Sequence, residues 1–179
     1  ELKAVKKEVR ELKIIYQETE FHITASFGVA VFTENDADIQ YVIERSFDAM
    51  TGLMNRDGFE AQLMESWEDL TGAGDQHHLI YLDLDNLQLV NDHFGRDAGD
   101  EVLKQVALSL LHSTRNDDLV CRLGGDEFIV LLPQTSEEEA EKIRQRILVA
   151  AEEETDGVLP VSVAIGLATK TEASQSLAA

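Results

Sequence analysis

Apolar positions along this chain recur with two periods, and the switches between them mark out its elements. Leu2, Val5, Val9, Leu12 and Tyr16 follow a 3-4-3-4 spacing with charges on the other faces, which predicts a helix over 2–18 packed on a sheet. A β-like run over 21–32 and a polar turn over 33–38 come next, and Asp38 is placed to cap a helix over 39–50. Residues 51–56 read as a loop, 57–70 as an amphipathic helix with Phe59, Leu63 and Trp67 on one side, and 72–76 as a flexible connection. A strand over 78–85 ends in acid, and a short helix runs from there to Phe94. Residues 95–99 turn the chain into a helix over 100–112 with a Val102, Val106, Leu110 stripe. Two β-forming runs, 119–123 and 128–132, flank Gly124-Gly125-Asp126-Glu127, the pattern of a hairpin with glycines in its tight turn. Ser136 stands at capping-box spacing from Glu139 and opens a helix to about Glu152, and 161–168 is the last strand.

From residue 57 the order is helix, strand, two helices, hairpin, helix, strand. That order predicts an α/β (α+β) fold of ferredoxin-like layout, a small antiparallel-containing sheet with helices on one side. The chain also repeats itself: at an offset of 138, Val5, Val9 and Leu12 fall on Ile143, Ile147 and Ala150, and Gly28 and Ala30 on Gly166 and Ala168. On this reading 1–47 is a helix-strand-helix segment, the tail of a related unit, and 48–179 is a second unit lacking its last helix.

With 179 residues and 44% hydrophobic content the chain builds a core. Its formal charge of −20, from 35 acidic against 15 basic residues, argues against nucleic-acid backbones and anionic membranes as partners. A nucleotide held through Mg²⁺ and backbone amides remains compatible with that charge. Cys121, the one cysteine, reads as a buried structural thiol, and no disulfide forms within the chain. No apolar run has the length of a membrane span, no signal peptide is visible, and the start at Glu1 reads as a piece of something longer. His77 and His78 read as ordinary surface or edge histidines rather than metal ligands, and no G-x-x-x-x-G-K-[ST] loop is present.

The hairpin tip carries the candidate chemistry. Asp126 and Glu127 set two carboxylates beside the bare amides of Gly124 and Gly125, which suits a metal and a phosphate arriving together; the plain alternative is an exposed acidic tip. In a ferredoxin-like sheet the end of the 78–85 strand lies beside this hairpin, so Asp83 meets Asp126. Each like-charge pair at roughly 4 Å costs about 4 kcal/mol at an effective dielectric of about 20. Divalent cations relieve such a cluster, and two hard cations on acidic residues serve in-line attack on a phosphate.

These residues carry a resemblance. Arg122-Leu-Gly-Gly-Asp-Glu-Phe128 resembles the signature of the GGDEF family, the diguanylate cyclases. Asp48-Ala-Met-Thr-Gly-Leu-Met-Asn-Arg56 is similar to the family's D-x-L-T-G-L-x-N-R, and Asp83-Leu-Asp-Asn-Leu-Gln-Leu-Val-Asn-Asp92 to its D-x-D-x-F-K-x-x-N-D. Gly95-Arg-Asp-Ala-Gly-Asp100 resembles G-H-x-x-G-D, and Val161-Ser-Val-Ala-Ile-Gly-Leu-Ala168 the closing strand. The resemblance implies a nucleotidyl-cyclase palm-type sheet with flanking helices, and condensation of two GTP into cyclic di-GMP. It implies that Asp83, the Leu84 carbonyl and Asp126 hold two Mg²⁺ ions, with Mn²⁺ as a substitute. Glu127 would assist at the metal or near the attacking 3′-hydroxyl. GTP would lie against Gly124, Gly125 and Arg122, with Asn91 and Asp100 reading guanine. The implied partners are GTP, cyclic di-GMP and a second copy in a catalytic homodimer, with no nucleic acid or membrane contact, in the cytoplasm.

Arg115-Asn-Asp-Asp118 reads from spacing alone as a solvated loop ion pair. The resemblance makes it a product-inhibition site of Arg115 and Asp118, joined by Arg146. Departures from the family pattern are Leu87 for Phe, Gln88 for Lys, and no counterpart of the final helix after Ala168. They motivate the alternative of a catalytically weak or inactive module that binds GTP or cyclic di-GMP and regulates an attached domain.

Overall fold

The structure, a computed structural model, describes residues 13–16, 19–22, 39–66, 76–154 and 162–170. Lys13–Tyr16 (β1) and Thr19–His22 (β2) pair antiparallel, with Ile14 opposite Phe21. This corrects the helix expected over 2–18 at the positions described: Ile14, Ile15 and Tyr16 are β-branched or aromatic, types that favour a strand once a second strand pairs with them. The proposed repeat breaks at the same place, because 151–154 are helical where 13–16 are a strand. Residues 2–12, 17, 18 and 23–38, with the rest of the β-like run, the polar turn and the Asp38 cap, lie outside the described residues.

The remaining elements are Ile39–Ser46 (α1), Arg56–Ser66 (α2), His77–Asp85 (β3), Leu87–Phe94 (α3), Arg96–Ser113 (α4), Leu119–Gly124 (β4), Glu127–Leu132 (β5), Glu137–Glu154 (α5) and Ser162–Lys170 (β6). Trp67 and the rest of the helix expected to residue 70 lie outside the described residues, as do 72–75 of the connection. The first helix stops short of residue 50 because Asn55 reaches back to its end. The Asn55 amide donates to the carbonyls of Arg45 at 3.1 Å, Phe47 at 3.3 Å and Glu44 at 3.4 Å. Its Oδ1 accepts the Gly58 N–H at 2.9 Å, so one side chain closes α1 and caps α2.

In the main sheet the strand order is β4-β5-β3-β6, and every neighbouring pair is antiparallel. Strands β3 and β4 therefore run parallel with β5 between them, the split βαβ of a ferredoxin-like fold. One face of the sheet (Ile80, Leu82, Phe128, Val130) packs against Val90 of α3, Val106 and Leu110 of α4, and Ile143 and Ile147 of α5. On the other face Phe59 and Leu63 of α2 pack on Cys121 and Leu131. Helices thus cover both faces rather than one, because an amphipathic stripe specifies that a helix packs but not on which side. Cys121 is fully buried, and that burial pushes its thiol up to about 12, so it is an inert core residue.

His77 and His78 are not at the surface: they are 4% and 0% exposed, because β3 is flanked by strands on both sides. His77 Nδ1 accepts the Gln134 N–H at 3.1 Å, and His78 Nδ1 lies 3.0 Å from Thr169 Oγ1. No helix among the described residues is long and apolar enough to cross a membrane.

Candidate functional site

Register brings the acids together. Asp83 stands opposite Glu127 across the β3–β5 ladder, and the Leu84 N–H donates to the Asp126 carbonyl at 3.2 Å. Leu84 buries its side chain in the core, leaving its backbone for the site, while Asp83 alternates to the opposite face. Partial burial, then the neighbouring Asp126, Asp85 and Glu127 carboxylates, push the Asp83 carboxyl above its ordinary value. A cation would relieve that repulsion.

Among the described residues no three carboxylate, imidazole or thiolate groups form a ready-made cage. Two aspartates beside a strand backbone nevertheless suit Mg²⁺. That ion keeps several waters and is commonly held by one or two carboxylates plus substrate phosphates. Glu127 is engaged elsewhere: the Tyr81 hydroxyl donates to its Oε1. That bond, first among the causes, pushes the Tyr81 hydroxyl up to about 12, so it stays a donor at neutral pH. The reading of the sequence did not single out Tyr81; the signal was its i, i+2 relation to Asp83, which puts both on one face of β3.

The hairpin tip is tied from behind. Gly124 sits at a register shift with φ 142° and Gly125 has φ 56°, and a Cβ on either would meet nothing within 4 Å. The backbone here is open to a ligand but strained for any residue with a side chain. Arg122, expected at the substrate, instead turns its guanidinium inward and is 9% exposed. Its Nε and Nη2 donate to the Gly125 carbonyl at 3.2 and 2.7 Å, and its Nη1 donates to Asp48 Oδ1 at 3.0 Å. Asp48 also accepts from the Thr51 N–H at 2.9 Å and the Thr51 hydroxyl at 2.6 Å. Burial would raise the Asp48 carboxyl, but the bonds from Thr51 and Arg122 outweigh it and hold it below its ordinary value. Asp48, Thr51 and Asn55 of the motif spanning 48–56 therefore brace the framework, and Arg122 ties the tip to Asp48.

Asn91 near the end of α3 and Asp100 in the first turns of α4 are both half-buried where these helices meet. The chain turns at Gly95 alone, and α4 starts at Arg96, earlier than expected. Gly99 is buried inside α4, and a Cβ there would lie 2.0 Å from Asn91 Oδ1. The missing side chain is what makes room for the Asn91 amide.

Arg115 and Asp118 lie in the loop between α4 and β4. The Arg115 N–H donates to Asp118 Oδ2 at 2.6 Å, so Asp118 shapes the loop that presents Arg115. Burial is the largest influence on Asp118 and pushes its carboxyl up, against the opposing pull of Arg115. The Arg115 guanidinium pairs with Glu139 of α5. Arg146, also on α5, donates through Nε to the Ser113 carbonyl at 3.1 Å and through Nη2 to the same oxygen. Arg146 thus reaches the last residue of α4, while the Arg115 side chain crosses to the first turn of α5.

The sequence profile described as "Diguanylate cyclase, GGDEF domain" matches residues 45–178. The probable diguanylate cyclase DgcE of Escherichia coli K12 is 42% identical over 105 residues, 59% of this chain and 10% of that protein. The GGDEF domain of TpbB (YfiN) from Pseudomonas aeruginosa matches with TM-score 0.62 at 36% identity, covering 69% of this chain and 74% of that one. A structure describing an interaction mode between a microbial GGDEF domain and bis-(3′,5′)-cyclic di-GMP matches with TM-score 0.63 at 33% identity, covering 74% and 80% of the two chains. The chain spans 30% or less of the length of the first curated relatives it matches.

Proposed function

Because the chain belongs to the diguanylate cyclase GGDEF-domain family, we propose that it condenses two GTP into cyclic di-GMP with release of two pyrophosphates. The observation that carries this is the ladder placing Asp83 opposite Glu127, with Asp126 bonded through its carbonyl to Leu84, beside an open diglycine tip. Asp83, Asp126 and the Leu84 carbonyl are the groups that would hold two Mg²⁺ ions, or Mn²⁺ in their place. Such ions supply charge neutralisation at the triphosphate when bound. Asn91 and Asp100 present an amide and a carboxylate to the guanine edge, and Gly124 and Gly125 let the nucleotide lie against the hairpin. Glu127, restrained by Tyr81, is the carboxylate left to take the proton of the 3′-hydroxyl as it attacks the partner GTP's α-phosphorus. The bond from that phosphorus to the β-phosphate bridge then breaks and pyrophosphate leaves. Each site holds one GTP, so two copies must face each other.

Incubation of the chain with GTP and Mg²⁺, followed by chromatography, tests this. Cyclic di-GMP should form at a rate that rises faster than linearly with protein concentration while dimers are scarce. Two variants refine it. Gly99→Ala should fold but push the Asn91 amide aside and weaken GTP binding about tenfold by calorimetry. Tyr81→Phe should leave GTP affinity within about twofold and slow turnover several-fold, since it removes only the restraint on Glu127.

A second reading, a nucleotide-binding regulatory module without turnover, draws on Gln88. It is exposed in the first turn of α3 where the family pattern carries a lysine, and so brings no charge to a phosphate. Binding of GTP or cyclic di-GMP with no product at any protein concentration would favour it.

A further inference from the structure

We infer that Glu139 is a built-in anionic competitor for the Arg115 guanidinium, displaced when a cyclic dinucleotide's phosphate binds there. The inference rests on the reading of the Arg115 loop as the product site. Glu139 is the third residue of α5, where a capping box would send its carboxylate back to the Ser136 N–H. Only half of that box forms: the Glu139 N–H donates to Ser136 Oγ at 3.3 Å, while the carboxylate crosses to Arg115. Of the three glutamates in this first turn, Glu138 pairs within the helix with Lys142 at 2.5 Å, so the contact with Arg115 is particular to Glu139.

The pair is built for exchange. Asp118 fixes the Arg115 backbone, yet the two paired side chains are 46% and 51% exposed, within reach of an incoming anion. An arginine fork takes a carboxylate or a phosphate by the same geometry, so both compete for it. A phosphate arriving at this loop must separate the pair and then sit beside a displaced carboxylate. Glu139 thereby sets the product concentration at which the loop is occupied.

The test is calorimetric binding of cyclic di-GMP to the whole chain at low and high salt. Glu139→Gln should tighten binding about two- to fivefold, and the gain should shrink at high salt, as for an exposed ion pair. Glu137→Gln, which removes the same charge two residues away in the same helical turn, should leave affinity unchanged. Arg115→Ala should weaken binding, and adding Glu139→Gln to it should give no gain. Wild-type affinity in Glu139→Gln, or a gain that persists without Arg115, overturns the inference while leaving the product site standing. Undiminished binding in Arg115→Ala overturns the product-site reading itself and the inference with it. Thermal melts of each variant confirm that folding is intact.

Discussion

Asp126→Asn should abolish cyclic di-GMP formation, by about a hundredfold or more, while leaving the fold at least as stable as before. The two halves of this expectation have one cause. Asp126 sits in a turn whose other side chains are absent, and its charge bears on Asp83, whose carboxyl is pushed up by burial and then by Asp126, Asp85 and Glu127. A carboxyl raised in this way favours its protonated form in the folded chain, so stability at neutral pH is lower than it would be without that neighbour and rises as pH falls through the raised value. Removing the charge of Asp126 relaxes this and should lift the melting temperature slightly. The same charge is one of two the chain offers a hard cation, and losing a group aimed at transition-state charge typically costs about 10²–10³ in rate. Melting curves with and without Mg²⁺ and GTP, set beside a turnover assay, separate the effects. Retention of wild-type turnover would sink the assignment of Asp126.

The second large effect is on stability, and intuition gets its sign wrong. Gly58 lies inside α2, where helix propensity alone favours alanine by about 1 kcal/mol. A Cβ at this position would lie 2.1 Å from the Ser46 carbonyl oxygen and 2.9 Å from its carbon. Those are backbone atoms, and that oxygen already accepts the Asn55 N–H at 3.1 Å, so it has nowhere to yield. Gly58→Ala should therefore destabilise by about 1–3 kcal/mol, the usual range for overpacking. A drop of several degrees in melting temperature and a lower urea midpoint are expected. Turnover should fall too, since moving α2 disturbs Asn55 and the neighbouring Asp48 that anchors Arg122. A variant more stable than wild type would show that α1 and α2 do not touch here.

The parts of this architecture that could be read from the amino acids are those encoded locally. Two glycines between β-forming runs require a hairpin, and alternation along 78–85 places Asp83 away from the core, so the meeting of Asp83 with the hairpin followed from topology. Side-chain direction did not. Arg122 reads as a ligand residue from its place in the signature, but its neighbours Gly125 and Asp48 come from a turn and from a loop seventy-four positions upstream. Gly99 reads as a loop glycine, and its buried place against Asn91 depends on how two helices cross. At the N-terminus a regular 3-4 spacing outweighed the β-branched pair Ile14-Ile15, and strand pairing decided the outcome. Tyr81 carried no motif at all.

The burial of Cys121 has a practical side. Its sulfur is shut inside a packed layer and holds its proton at any ordinary pH, so alkylating reagents have nothing to attack in the native state. The wild-type chain is already a clean background for thiol labelling. A dye attached to a cysteine engineered at an exposed position beside the hairpin would report nucleotide arrival without the native sulfur having to be removed first.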